Sequence, residues 1–168
     1  MSLDSRQIDT ILKQAKISGY LGVFPCDLVP DGATGLMVVN LDPHNKPGTH
    51  WVVVYIDTHR RRGEYFDSFG REPTGRLLDY MQQNCRNWIH NRKQLQSIAS
   101  KCCGHYCVMY CVYRGQKGVD LNKFVSHFTR DTGFNDTIVR KAFRLICKSI
   151  LYKRAERTGP MIYRLRAA

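Results

Sequence analysis

The stretch KCCGHYC, residues Lys101–Cys107, opens the most apolar helical segment of the chain and decides how the rest of the sequence is interpreted. The polar segment NRKQLQSIAS precedes it and VMYCVY follows it. This pattern predicts a buried helix from Cys103 to Arg114. At the first turn of a helix, unpaired N–H groups and the helix dipole favour an anion, which lowers the pKa of a thiol. Cys103 is therefore a candidate nucleophile.

Burial in the core is the competing interpretation of Cys103, because cysteine is among the residue types most often buried. The chain has seven Cys residues, an odd number, and four of them cluster at 102, 103, 107 and 111. This spacing is not that of a disulfide framework, and it predicts free thiols in a reducing compartment. CxxC spacing is absent, so we do not expect a metal site. No signal-peptide pattern opens the sequence, so secretion is not expected either.

The charge of the chain points to a polyanionic partner. The formal net charge is +12, from 26 Lys and Arg against 14 Asp and Glu. Such an excess predicts attraction to nucleic acid, although a solvated basic surface without a partner is the alternative. One basic cluster is the turn at His59–Arg62, and the other spans Arg140–Arg166. Within the second cluster, Arg144 and Lys148 are the expected DNA contacts. No base-reading motif accompanies them, so binding should be non-specific.

The order of predicted elements is helix, strands, helices, which is typical of an α+β fold. The length of 168 residues predicts a single domain over 1–168, and no apolar run is long enough to span a membrane. Residues 19–35 are rich in Gly, Pro and Asp and are expected to form a loop. The predicted elements are a helix at Asp4–Ser18, strands at Leu36–Leu41, His50–Asp57 and Glu64–Phe69, a helix at Pro73–Asn91, a short strand at Gln94–Ile98, the buried helix at Cys103–Arg114, a short helix from Asp120 to Phe128, and a long helix capped by Asn135 or Asp136 and ending near Arg157.

A cysteine nucleophile needs a base, a group that orients the base and donors for the oxyanion. His105 follows Cys103 by two positions on the same helix, so the two side chains diverge. His50 begins a predicted central strand, and Asp67 ends the next strand of the same hairpin. The start of one strand lies beside the end of the other, so His50 and Asp67 should meet at one end of the sheet. A carboxylate there can hold the imidazole in one tautomer.

These residues resemble the adenovirus-type cysteine proteases, the adenain family. GTHWVVVYID is followed by YFDSFG, with Asp67 seventeen positions after His50, and Gln96 stands seven positions before Cys103 in a Cys-Gly context. The resemblance covers residues 5–115 in motif order. It departs from the family in having Asp where adenovirus enzymes have Glu, and in a shorter C-terminal part. It implies a papain-like, adenain-like fold, with a mixed sheet packed against a central helix that carries the nucleophile.

The resemblance also implies an activity and a role for each residue. Cys103 would be the nucleophile, His50 its base, Asp67 the orienting acid, and Gln96 a donor to the oxyanion. The chain would be an endopeptidase that cleaves capsid and core precursors during virion maturation, in the virion and the host nucleus. The implied cofactors are DNA and an activating viral peptide that forms a disulfide with Cys85, which lies eighteen residues before Cys103. Cys85 also falls on a predicted apolar helix stripe, so core burial remains open for it.

Two alternatives compete with this function. The first is a SUMO- or ubiquitin-like-protein deconjugating protease, a cellular branch of the same fold. That branch typically has Asp directly before the nucleophile and Gln six residues ahead, whereas this chain has Cys102 and a spacing of seven. The second is a catalytically inactive, DNA-binding virion protein. Intact residue types at all four catalytic positions argue against it.

Overall fold

A computed structural model describes residues 2–158 of the chain, and the predicted α+β class is confirmed. The described part contains five helices and five strands. In chain order they are α1 Ser5–Gln14, β1 Tyr20–Pro25, β2 Gly35–Asn40, β3 Trp51–Asp57, β4 Arg62–Phe66, α2 Gly75–Asn84, β5 Asn87–His90, α3 Cys103–Lys117, α4 Leu121–Ser126 and α5 Thr132–Thr158. No helix in this part of the chain is long and apolar enough to cross a membrane.

The strands form one mixed sheet in the order β1-β2-β3-β4-β5. The central strands β2, β3 and β4 pair antiparallel, and each outer strand pairs parallel to its neighbour. Strand β3 is covered on both faces, as its continuous apolar run predicts. Val53 belongs to a core shared with the helices α1, α3, α4 and α5, whereas Val52, Val54 and Ile56 belong to a second core under α2.

Helix α3 is the buried centre of the larger core. Every residue from Cys103 to Val112 is buried. The helix is fixed to the sheet by a polar cluster in which Tyr110 Oη and Arg114 Nε both donate to the carboxylate of Glu64 on β4. Because Glu64 is itself 8% exposed, these charge-assisted bonds satisfy a carboxylate that would otherwise be costly to bury. The cluster therefore fastens the second half of α3 to β4.

Helix α1 is confirmed, and it closes over the start of α3. Asp4 is the N-cap and forms a capping box with Gln7. A Cβ on Gly104 would lie 3.1 Å from Leu3 and 3.2 Å from Ile8, tighter than ordinary contact. The absence of a side chain on Gly104 thus lets α1 and the residues before it pack directly behind Cys103.

Two strands at the edges of the sheet were not predicted. Residues 20–25 were expected to be loop, but they form β1, with a register shift between Tyr20 and Gly22, where Gly22 has φ of +145°. The helix predicted at Pro73–Asn91 ends at Asn84, because Cys85 is extended and the following residues pair with β4 as β5. In both segments the partner strand supplies backbone hydrogen bonds that local sequence patterns do not show.

Two other expectations were wrong in detail. The strand predicted at Gln94–Ile98 is an irregular segment, held by hydrogen bonds from Leu95 N and Gln96 N to Ser68 O. Helix α5 begins at Thr132, before the predicted caps, since Asp131 accepts a hydrogen bond from Phe134 N. Residues 159–168, the end of the predicted basic cluster and of the predicted domain, lie outside the described residues.

Candidate active site

His50 and Asp67 meet at one end of the sheet, as the hairpin predicts. His50 immediately precedes β3 and Asp67 immediately follows β4. His50 Nε2 lies 2.6 Å from Asp67 Oδ1, and both side chains are buried. The imidazole also packs on the ring of Phe69, with ring centroids 4.9 Å apart. The ring is therefore restrained both by a short hydrogen bond and by its contact with an aromatic face.

Asp67 is held in place by its own surroundings. Its Oδ1 also accepts a hydrogen bond from Phe69 N at 2.9 Å. Asn91 fastens its backbone on both sides, because Asn91 Oδ1 accepts from Asp67 N at 2.9 Å and Asn91 Nδ2 donates to Asp67 O at 2.6 Å. Asp67 has no exposed surface. A carboxylate fixed in this way can orient an imidazole without moving.

Cys103 completes the group from the other side. It is the first residue of α3, and its thiol lies close enough to the His50 side chain and to the backbone N–H groups of Trp51 and Gly104 for each of them to lower its pKa. Since Nε2 of His50 is occupied by Asp67, Nδ1 is the ring nitrogen left to face the thiol. The imidazole therefore bridges a carboxylate and a thiol, the arrangement in which a cysteine can lose its proton to a histidine.

The electrostatics of this group favour a charged pair. Burial alone would raise the pKa of the Cys103 thiol, but the His50 side chain and the two backbone N–H groups outweigh it and lower that pKa. Burial would lower the pKa of His50, yet the bonds to Asp67 and Cys103 raise it to about 9. The lowered pKa of the thiol and the raised pKa of the imidazole both favour the thiolate–imidazolium pair, which is the reactive form of a cysteine nucleophile.

Gln96 lies in the irregular segment before α3, where its side chain is 1% exposed. Its Oε1 accepts a hydrogen bond from Ser68 Oγ at 2.7 Å, and its Nε2 donates to Ser100 O at 2.8 Å. One hydrogen of the amide remains for another acceptor. Gln96 and Cys103 line the same groove, so this donor is available to a group bound there.

The groove that contains these side chains has a volume of about 920 Å³. One wall comes from the residues around the start of α1, another from the end of β1, and a third from the loop between β2 and β3. His50, Gln96 and Cys103 lie along its floor together with Trp51, whose indole N–H is tied to Leu3 O at 3.1 Å. The groove is open at the surface, as an extended peptide would require.

The histidine and the other cysteines near the start of α3 do not join the site. His105 packs against Phe143 with ring centroids 4.5 Å apart, and burial lowers its pKa to about 4. Burial raises the pKa of Cys107 and of Cys111. Cys102 accepts a hydrogen bond from Arg140 Nε at 3.0 Å. All seven cysteines are free thiols. Within residues 2–158 no group of three or more His, Cys, Asp or Glu is placed to hold a metal.

Cys85 lies in the second core, away from the groove. It is 5% exposed, belongs to the cluster that includes Met81, and follows the last residue of α2. Burial raises the pKa of its thiol, which slows thiol–disulfide exchange at ordinary pH. Of the two interpretations that the sequence left open for Cys85, the structure supports core burial. An attached activating peptide would require this part of the core to open.

The predicted DNA contacts lie on α5. Arg144 and Lys148 are exposed, and so is Lys141, which places three basic side chains at helical spacing on the outer face of that helix. Their contact with DNA stays a prediction.

Sequence reasoning missed two residues that support the site, Ser68 and Asn91. Ser68 stands next to Asp67 in YFDSFG, where a serine at a strand end gives no distinguishing signal. Asn91 lies in a segment that was expected to be helical. Both act through contacts between segments distant in sequence, so no spacing rule could have found them.

The chain is similar in sequence to viral proteases. Over 115 residues it is 27% identical to a protease of bovine adenovirus 4, an alignment that covers 57% of each protein. Over 80 residues it is 28% identical to a protein of Acanthamoeba polyphaga mimivirus named as a thiol protease, covering 42% of this chain and 26% of the relative. The matched segments thus span little more than half of the adenovirus protease and about a quarter of the mimivirus protein. These matches confirm the resemblance to adenovirus-type proteases, although no protein-family model matches the chain.

Two solved structures share the fold. The SUMO protease Ulp1 superposes with a TM-score of 0.51 at 15% identity, covering 89% of this chain and 79% of that chain. The Chlamydia trachomatis effector Cdu1, solved bound to ubiquitin, gives a TM-score of 0.52 at 14% identity, covering 71% and 64%. The predicted papain-like fold, with a mixed sheet packed against the helix that begins at Cys103, is confirmed.

Proposed function

We propose that this protein is a cysteine endopeptidase in which Cys103, His50 and Asp67 act together. The observation that carries the proposal is the position of His50, whose Nε2 lies 2.6 Å from Asp67 Oδ1 and which lines one groove with Cys103. The sequence relatives named as proteases support the same activity.

The proposed mechanism has the following steps. The Cys103 thiolate attacks the scissile carbonyl carbon, and the resulting oxyanion receives hydrogen bonds from Gln96 Nε2 and from the backbone N–H of Cys103 at the start of α3. His50, as imidazolium, gives its proton to the leaving amine as the C–N bond breaks. Neutral His50 then takes a proton from water, which attacks the acyl-enzyme thioester and releases the second product. Asp67 keeps the ring oriented and stabilises its positive charge throughout.

The proposed substrates are capsid and core precursor polypeptides of a virus, cleaved as virions mature in the host nucleus. Similarity to a protease of an adenovirus supports this choice. Incubating the protein with candidate precursors, with Cys103→Ala as the inactive control, tests it. SUMO and ubiquitin conjugates belong in the same panel, because Ulp1 and the ubiquitin-bound Cdu1 share the fold. If the protein cleaves the conjugates but not the precursors, its function is deconjugation and not viral maturation.

We also propose that DNA binds the outer face of α5. Three observations support this surface: the net charge of +12, the exposure of Lys141, Arg144 and Lys148, and their spacing along one helix. Arg140 is exposed on the same helix, and its Nε donates to Cys102 Sγ at 3.0 Å. Bound DNA would bring the enzyme and its substrates together on one polyanion, which explains how it could stimulate cleavage without entering the groove.

Charge reversals at Arg144 and Lys148 are expected to weaken DNA binding without changing hydrolysis of a small peptide. Affinity for a short duplex should fall steeply with salt, with a logarithmic slope of roughly 0.9 for each phosphate neutralised. Fluorescence anisotropy of a labelled duplex measures both effects. Lys123→Glu, at an exposed position on α4, is the matched control and should bind as the parent does. Binding that ignores salt, or that survives both reversals, would contradict this surface.

A further inference from the structure

Ser68 joins the strand end that carries Asp67 to the segment that carries Gln96. It follows Asp67 directly and has no exposed surface. Its carbonyl accepts hydrogen bonds from Leu95 N at 2.8 Å and from Gln96 N at 3.0 Å. Its hydroxyl donates to Gln96 Oε1 at 2.7 Å. Both the backbone and the side chain of Gln96 are therefore fixed by this one residue.

The hydroxyl has a specific effect on the direction of the Gln96 amide. Ser100 O is a carbonyl and can only accept, so the amide nitrogen must be the atom that faces it, at 2.8 Å. The amide oxygen then faces Ser68, where the hydroxyl satisfies it. If the amide were flipped, its oxygen would face the carbonyl oxygen of Ser100. Both atoms are acceptors, so no hydrogen bond could form between them. Ser68 and Ser100 thus select the orientation in which the amide nitrogen is the end available as a donor.

Loss of the Ser68 hydroxyl would leave the amide oxygen of Gln96 buried without a donor. An unsatisfied buried acceptor disfavours this orientation, so the side chain would be driven to others. His50 and Asp67 make no hydrogen bond to the hydroxyl, which has Gln96 as its partner. The charged pair of Cys103 and His50 should therefore persist when the hydroxyl is removed.

We propose that Ser68 is a positioning residue for the oxyanion hole, which acts by holding the amide of Gln96 with its nitrogen toward the reacting carbonyl. This inference rests on the proposed function, in which Gln96 donates to the oxyanion. Adjacent residues at the end of one strand then serve two parts of the site, since Asp67 orients the base and Ser68 orients the oxyanion donor.

Two small reagents that both react at Cys103 distinguish an effect on the oxyanion donor from an effect on the Cys103–His50 pair. Neither reagent requires the natural substrate to be known. p-Nitrophenyl acetate acylates the thiolate: the new S–C bond forms through an oxyanion, and p-nitrophenolate leaves. Iodoacetamide alkylates the same sulfur by displacing iodide, and no oxyanion develops. Mass spectrometry of the Cys103 peptide gives both rates for each variant. Cleavage of substrate is measured in a separate assay. If the proposed function is wrong, that assay shows no cleavage.

Ser68→Ala should lower the rate of Cys103 acylation about tenfold and leave the alkylation rate within a factor of about two. Gln96→Ala should show the same pattern with a larger loss, about 100-fold. In the double variant Ser68→Ala/Gln96→Ala, acylation should be no slower than in Gln96→Ala alone, because both changes remove one function. Ser126→Ala, which removes a hydroxyl bonded to Lys123 O in α4, is the control and should keep both rates.

Three results would overturn the inference. Unchanged acylation in Ser68→Ala would show that the hydroxyl does not act on the oxyanion donor. Equal losses of acylation and alkylation would show that Ser68 supports the structure of the site in general, since alkylation reports on the Cys103–His50 pair. Additive losses in the double variant would show that Ser68 and Gln96 act independently.

Discussion

Cys103→Ala and His50→Ala are each expected to abolish peptide hydrolysis while leaving the protein folded. The first variant removes the thiol that acts on the pKa of His50, and the second removes the group that takes and returns the proton. Removal of either member of a nucleophile–base pair typically costs several orders of magnitude in turnover, because the two act as a unit. The turnover number on a cleaved peptide measures the loss, and circular dichroism checks the fold.

Two further variants sharpen this experiment. Asp67→Asn should reduce turnover less than either change, because an amide can still contact the ring but cannot stabilise its positive charge. Cys107→Ala is the matched control, since it removes a buried thiol one turn further along α3 and should keep activity. Full activity in Cys103→Ala, with Cys102 or Cys107 acting instead, would disprove the assignment.

Gln96→Ala is expected to lower the turnover number by about 100-fold with little change in KM. The amide is buried at the floor of the groove, and one of its hydrogens is free for the charge that develops during attack. A donor that acts mainly on this charge stabilises the transition state more than the bound substrate, and loss of one such donor typically costs 10²–10³ in turnover. Steady-state kinetics on the same peptide separate the two parameters.

The control for this variant is Gln116→Ala, which removes an exposed amide that donates to Ala15 O. It should keep both kinetic parameters. An unchanged turnover number in Gln96→Ala would reduce Gln96 to a buried residue that packs the segment before α3, and the oxyanion would then depend on backbone donors alone.

The parts of the site that could be predicted from the sequence are those that local geometry dictates. Helix α3 begins at Cys103 because polar residues precede it and a continuous apolar run follows. A hairpin places the start of β3 beside the end of β4, which brings His50 to Asp67. The position of His50 beside Asp67 depends on pairing between strands adjacent in sequence, and the position of Cys103 depends on where one helix begins. Both can be recognised in the pattern of residues.

The parts that could not be predicted depend on contacts between distant segments. Strand β5 forms because residues after Cys85 find hydrogen-bond partners on β4, and its apolar residues fit the period of a helix equally well. Strand β1 contains Gly22 and ends at Pro25, residues that ordinarily mark a loop. Ser68 reaches Gln96 across 28 positions. None of these contacts can be recognised from the residues next to it in the sequence.

Cys85 shows how one segment boundary changes an interpretation. Its place on the apolar stripe of a predicted helix favoured burial, while its distance of eighteen residues from Cys103 favoured an exposed attachment point. The helix ends before Cys85, yet its side chain still enters the second core, where a Cβ on Gly63 would lie 2.5 Å from its sulfur. Packing against the sheet, which the sequence does not show, decides between the two interpretations.

The central proposal is that His50, held by Asp67, keeps Cys103 as a thiolate. The pH dependence of Cys103 alkylation by iodoacetamide, read by mass spectrometry in the parent protein and in His50→Ala, measures this directly. In the parent we predict reaction through an apparent pKa below the ordinary thiol value of about 8.5, with a second step near 9 as His50 loses its proton. In His50→Ala the first step should move to higher pH and the second should disappear. A parent Cys103 that titrates as an ordinary thiol, or a profile that His50→Ala leaves unchanged, would contradict the account.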